Sequence, residues 1–214
     1  MGNKLAQAHI KVAQAECEQS GAKLPNRGLA YLSEGSATFD AYIQALHWAQ
    51  TFAALNRAEM MNRVENCMSD FMGESVAMIE SVGCHHNYTE RETHFGEQVW
   101  LSRKGAINAE KGMPGLIPGS MGDRSYVVTG LGNEDALRSA PHGAGRNFSR
   151  SKAKTLFTRA DLDLRMAGVA WGESDAFLDE HPQAYKPIDQ VMRDAAELVE
   201  ITHELRQIVN LKGA

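Results

Sequence analysis

The chain has 214 residues, an ordinary 43% apolar content and a formal net charge of −5. That length is enough to bury a real core, and nothing in the composition argues for disorder. The acidic balance excludes nucleic-acid binding through overall charge, so any RNA contact must come from a local basic patch.

The first element is an amphipathic helix over 3–19. Leu5, Ala8, Val12 and Ala15 recur at helical spacing, and Gly21 supplies a stop. Asn3, Lys4, Gln7, His9 and Lys11 break this stretch, so it has no signal-peptide core. A loop with Pro25 and Gly28 leads to a long helical stretch over 38–71, its apolar face built from Phe39, Ile43, Leu46, Ala53, Met60, Val64 and Cys67. Asn56 marks a potential break within it. Composition then shifts, and residues 96–146 hold about half of the 19 glycines. Short β-like runs at 98–101 and 125–128 punctuate this region, which reads as strands joined by tight loops. Helix returns over 149–157 and 187–209. The latter has Pro187 in its first turn and Ile188, Val191, Ala195, Leu198, Ile201, Leu205 and Ile208 on one face.

The expected class is α+β, with helices flanking a glycine-rich mixed sheet. No domain boundary is evident, so 1–214 reads as a single domain. No run of about 18 apolar residues exists, and no membrane contact is expected. Cys17, Cys67 and Cys84 form an odd, sparse set without CxxC spacing, which reads as free thiols in a reducing compartment. A cytoplasmic protein is the expectation.

Four clusters carry side chains suited to chemistry. In Cys84-His85-His86-Asn87-Tyr88, adjacent histidines usually point apart, so one can face a site as a metal ligand while Asn87 orients a phosphate or water. The alternative is a satisfied histidine at a strand end. Arg103-Lys104-Gly105-Ala106 places two cations before a glycine turn, suited to a phosphate or, equally, to solvent. Ile117-Pro118-Gly119-Ser120-Met121-Gly122-Asp123-Arg124-Ser125-Tyr126 offers backbone N–H groups and two hydroxyls to a nucleotide, as a plain surface loop also would. The strongest cluster is Pro141-His142-Gly143-Ala144-Gly145-Arg146-Asn147-Phe148-Ser149-Arg150, a histidine followed by a small-residue loop that leads into a helix start. A phosphate can approach such a backbone, the helix start offers free N–H groups, and Arg146 can add a bidentate contact. A neutral histidine nitrogen there can attack phosphorus without first losing a proton. A histidine that merely hydrogen-bonds the phosphate is the alternative.

Read together, these motifs resemble the RtcB family of RNA-splicing ligases. The match runs in order through GLAYL-x-EG at 28–35, CHHNY at 84–88, RKGA at 103–106, PGSMG at 118–122, HGAGR at 142–146, AYK at 184–186 and the terminal KG at 212–213. The resemblance implies the C-terminal part of an RtcB-like fold. It also implies a GTP- and Mn²⁺-dependent enzyme that joins an RNA 3′-phosphate, or 2′,3′-cyclic phosphate, to a 5′-hydroxyl. His142 would carry the guanylate, with Gly143, Ala144 and Gly145 lining the phosphate. His86 would ligate manganese, and His86 and Asn87 would border the nucleotide. Pro118, Gly119, Ser120, Met121 and Ser125 would form the guanosine-side loop, Tyr185 a wall of the base pocket and Lys212 a contact to guanine. Lys104 and Arg146 would serve activity through phosphate or RNA. Family members are about twice as long, and the resemblance puts an Asp, a Cys and two more His ligands in the additional N-terminal half. A separate N-terminal half is therefore an implied partner, and archease another. A GTP- or RNA-end-binding fragment without autonomous catalysis is the alternative reading.

Overall fold

A computed structural model describes residues 2–211. Helix and strand both contribute substantially, as expected for an α+β chain. By compactness the chain divides into two units, residues 1–78 and 79–214. Lys212, the expected guanine contact, lies outside the described residues.

The first unit is helical. Helix α1 spans Gly2–Gln19 and α2 spans Ala37–Met72. Ser36 caps α2, its side chain accepting from the Phe39 N–H, and Gly73 closes it in a left-handed conformation at φ 72°. Asn56 does not interrupt this helix. Asparagine costs only a few tenths of a kcal/mol relative to good helix formers, about what one exposed position tolerates. Cys17 is buried on α1, while α2 has no fully buried residue.

The second unit carries the strands. An antiparallel hairpin pairs β1 (Asn87–His94) with β2 (Glu97–Lys104). Its turn has positive φ at both Phe95 and Gly96, the backbone that matches the twist of the flanking strands. Strand β3 (Ala106–Asn108) pairs with β6 (Ser139–Pro141), and β5 (Ser125–Gly130) lies between β4 (Pro114–Pro118) and β8 (Val199–Leu205). The two-residue strands β7 (Ala170–Trp171) and β9 (Val209–Asn210) pair in parallel. The described strands thus form four small sheets instead of one mixed sheet. Glycine and proline turns between short strands end each ladder before it can widen. Helices α3 (Arg150–Leu156), α4 (Arg159–Arg165) and α5 (Ile188–Asp194) complete the unit.

Alternate residues of β5 face inward, so Tyr126 and Val128 join Ile107, Ile117, Ile188, Met192 and Val199 in the main core. Met121, Leu162, Met166 and Phe177 make a second, smaller core. The helix expected over 187–209 is corrected. It ends at Asp194, and 199–205 is a strand bonded to β5. Val199, Ile201, His203 and Leu205 fit period two as well as the helical stripe fits its own period. The backbone groups of β5 settle the choice, because they need a partner on that side.

Among the described residues no helix is long and apolar enough to cross a membrane.

Candidate functional site

Three of the sequence clusters meet where β1 begins and β2 and β6 end. At the close of β2, Lys104 stands opposite Asn87, and Gly105 then turns the chain at φ 73°. The Gly105 N–H donates to the His86 carbonyl at 2.8 Å and to Asn87 Oδ1 at 3.2 Å. The Gly105 carbonyl accepts from the His142 N–H at 3.4 Å. This double tether draws the two imidazoles together, with the His86 and His142 rings 5.2 Å apart between centroids. A Cβ on residue 105 would lie 3.4 Å from His142 Nε2, so glycine there keeps that edge of the ring uncovered.

His142 opens onto a cleft of about 360 Å³. Gly105 and the Gly143-Ala144-Gly145 run line one side, Lys186 another, and Val191, Ala195 and Leu198 supply an apolar wall. The loop is held in place by its backbone. Ala144 N–H donates to the Pro118 carbonyl at 3.0 Å, and Lys186 N–H donates to the Gly145 carbonyl at 3.1 Å. Burial, then the nearby charge of His86, hold the His142 imidazole below the ordinary histidine value of 6.5. At neutral pH the ring is therefore uncharged and keeps a free nitrogen lone pair.

Other expected site residues do not line this cleft. Pro118 reaches the His142 loop through its carbonyl, but Ser120 and Met121 are buried. The Ser120 hydroxyl donates to the Asp123 carboxylate at 2.5 Å, and Met121 packs in the second core. Gly119 is fixed by closeness, since a Cβ there would stand 2.5 Å from the Arg124 carbonyl. Ser125 begins β5, half-buried opposite Pro118. None of residues 118–125 lines the His142 cleft. The N-terminus of α3 does not line it either, as Ser149 caps that helix by accepting from the Lys152 N–H.

Arg146 turns inward. Its Nε donates to the Phe148 carbonyl at 3.0 Å, Nη1 to the Tyr185 hydroxyl at 2.9 Å and to Glu180 at 3.3 Å, and Nη2 to the Asp179 carbonyl. Its guanidinium also lies over the Tyr185 ring, 4.6 Å from the centroid. Burial and the neighbouring Glu180 push the Tyr185 hydroxyl up to about 12, so it stays protonated and donates to Glu180. Arg146 and Tyr185 thus form an internal clamp between the His142 loop and the 179–185 turn.

Arg103, the other cation of its pair, is also spent internally. It is 3% exposed and donates to both Glu92 oxygens, the Tyr88 hydroxyl, the Ser139 hydroxyl and the Leu137 carbonyl. Lys104 alternates to the opposite face of β2 and is exposed. The features that sequence reading missed are these inward arginines, their acceptors Glu92 and Glu180, and the place of Lys186 in the cleft. Lys186 stands inside the AYK motif, and that was its only sequence signal.

Among the described residues no group of three histidine, cysteine or acidic side chains is close enough to hold a metal ion. His86 and His142 are at most two imidazole donors, and a stable transition-metal site needs more protein ligands. The described residues do not by themselves fit a manganese site.

The family described as tRNA-splicing ligase RtcB matches residues 1–213. The RNA-splicing ligase RtcB of Escherichia coli strain K12 is 44% identical, aligned over 100% of this chain and 53% of its own length. The tRNA-splicing ligase RtcB of Pyrobaculum aerophilum is 31% identical over 92% of this chain and 46% of its own. The RNA-splicing ligase RtcB of Mycobacterium tuberculosis is 30% identical over 90% of this chain and 49% of its own. The chain spans about half the length of these relatives. With ordered motifs from end to end and these matches, the chain belongs to the RtcB family.

Proposed function

We propose that this chain carries the nucleotide-accepting histidine of a GTP- and Mn²⁺-dependent RNA ligase, which joins RNA 3′-phosphate or 2′,3′-cyclic phosphate ends to 5′-hydroxyl ends. The observation that carries the reading is His142, held uncharged at the mouth of a cleft whose near wall is three small residues. A ring nitrogen there forms a bond to the α-phosphorus of GTP, and pyrophosphate departs with the electron pair of the broken P–O bond. The guanylate then passes to the RNA 3′-phosphate, and the 5′-hydroxyl displaces GMP. Positioning and charge neutralisation dominate such steps. Asn87 and Gly105 hold His86 and His142 side by side, and the Arg146–Tyr185 clamp fixes the loop behind them. His86 is this chain's single expected manganese ligand, so further ligands come from a separate N-terminal half. Archease is a further partner under the same reading.

The lack of a three-ligand group among the described residues favours a second reading, a fragment that binds GTP or RNA ends and is catalytically incomplete alone. Intact-protein mass after incubation with GTP and Mn²⁺ separates the two. An added guanylate that His142→Ala abolishes supports the first. Labelling that survives His142→Ala sinks the role of His142. No label on this chain, either alone or with an N-terminal half supplied, supports the second.

A further inference from the structure

Among the described residues, the cations picked out by sequence do not line the cleft. Arg146 and Arg103 have their donors on protein acceptors, and Lys104 does not line the cavity. One cation does line it, Lys186, along with one carboxylate, Asp194. Asp194 is occupied, its Oδ1 accepting from Gln190 Nε2 at 2.7 Å. Lys186 makes no ion pair and no side-chain hydrogen bond among the described residues. Its backbone is nevertheless fixed, through its N–H bond to Gly145 and the neighbouring bridge between Arg146 and Tyr185.

We infer that Lys186 grips the β- and γ-phosphates of the nucleotide whose α-phosphate lies against His142. This rests on the reading of His142 given above. When the nitrogen–phosphorus bond forms, the P–O bond to the β-phosphate breaks and its electron pair leaves with pyrophosphate. Negative charge grows on that leaving group, and a fixed cation nearby stabilises it. An ammonium on a flexible stem suits a multidentate phosphate tail, whereas a guanidinium suits a planar pair of acceptors. Because Lys186 has no partner to give up, its charge is available to the ligand without cost to the fold.

Calorimetric titration of the 214-residue chain with GTP and with GMP tests this. Lys186→Ala should weaken GTP about tenfold, the scale of one charged hydrogen bond, and leave GMP within about twofold. Lys186→Arg should recover most of the GTP affinity. The thermal midpoint of Lys186→Ala should match the unsubstituted chain, which separates lost contact from lost fold. Equal weakening of GTP and GMP, or no weakening of GTP, overturns the inference while leaving the role of His142 intact. A chain that binds neither nucleotide, alone or with the N-terminal half supplied, overturns both.

Discussion

Two regions of the second unit are built alike: the end of the β1–β2 hairpin, with Arg103 and Lys104, and the bridge between residues 146 and 185, with Arg146 and Lys186. Each carries an arginine turned inward and a lysine turned out. The arginine's planar fork is met by carbonyl, hydroxyl and carboxylate acceptors, most of them from distant parts of the chain. The lysine, with its strongly hydrated ammonium, stays at the surface. The lesson is that an arginine beside a motif glycine can be the residue that holds the loop. The regions differ in redundancy. Among the described residues Glu92 has Arg103 as its guanidinium partner, supplemented by His94 at 2.8 Å. Glu180 has two, Arg146 at 3.3 Å and Arg150 at 2.8 Å.

That difference sets the largest expected effect. Burial alone would raise the Glu92 carboxyl, but hydrogen bonds from Arg103 and His94 hold it below its ordinary range. Arg103→Ala strands this charge and empties a buried site, at a cost of about 3–5 kcal/mol. Arg146→Ala leaves Glu180 paired with Arg150 and should cost about 2 kcal/mol. Urea denaturation of the two variants measures both. Equal losses would mean that the second arginine on Glu180 contributes nothing, and the comparison would fail.

A smaller effect should appear with pH in the turn that Arg146 clamps. His181 is fully buried, stacked on Phe157 at 4.1 Å between ring centroids, and its Nδ1 accepts from the Gln183 N–H. Burial holds its imidazole below the ordinary value of 6.5; Asp161 partly offsets this and Arg165 reinforces it. In the unfolded chain the ring takes its proton near the ordinary value, while in the folded chain it resists. The unfolded state therefore binds more protons in that interval, and stability falls as pH drops below about 6.5. His181→Gln should flatten this decline. Unfolding midpoints measured from pH 7.5 to 5 check it, and identical slopes for the two proteins would refute it.

Legibility in the sequence followed the strength of local pattern. Helices α1 and α2 were readable from long apolar stripes, and the cores of β2 and β5 from short β-rich runs. Strand β1 was not, because Asn-Tyr-Thr-Glu-Arg-Glu-Thr-His has almost no apolar alternation; the tight Phe95-Gly96 turn and a distant arginine hold it. The segment after Asp194 misled because two periods fit it equally, and the free side of β5 decided between them. The pairing of His86 with His142 has no local signature at all. Only the order of motifs anticipated it, and the tethers through Gly105 explain it. The inward turn of Arg103 and Arg146 was equally hidden, since their acceptors lie far along the chain.

The smallest stability effect falls on Lys104, and it sharpens the contrast most. Lys104 adjoins Arg103 yet is exposed, with no ion pair or side-chain hydrogen bond among the described residues. Lys104→Ala should therefore change stability by no more than about 0.5 kcal/mol, the usual range for such a surface site. If the ammonium instead meets an RNA phosphate, its loss shows in binding. The salt dependence of affinity for a single-stranded RNA ending in a 3′-phosphate should fall in slope by about 0.7, the share of one phosphate contact. An unchanged slope would remove Lys104 from the RNA path. A stability loss above about 1 kcal/mol would place it with Arg103 as a structural cation, and the division between inward arginine and outward lysine would no longer hold at this hairpin.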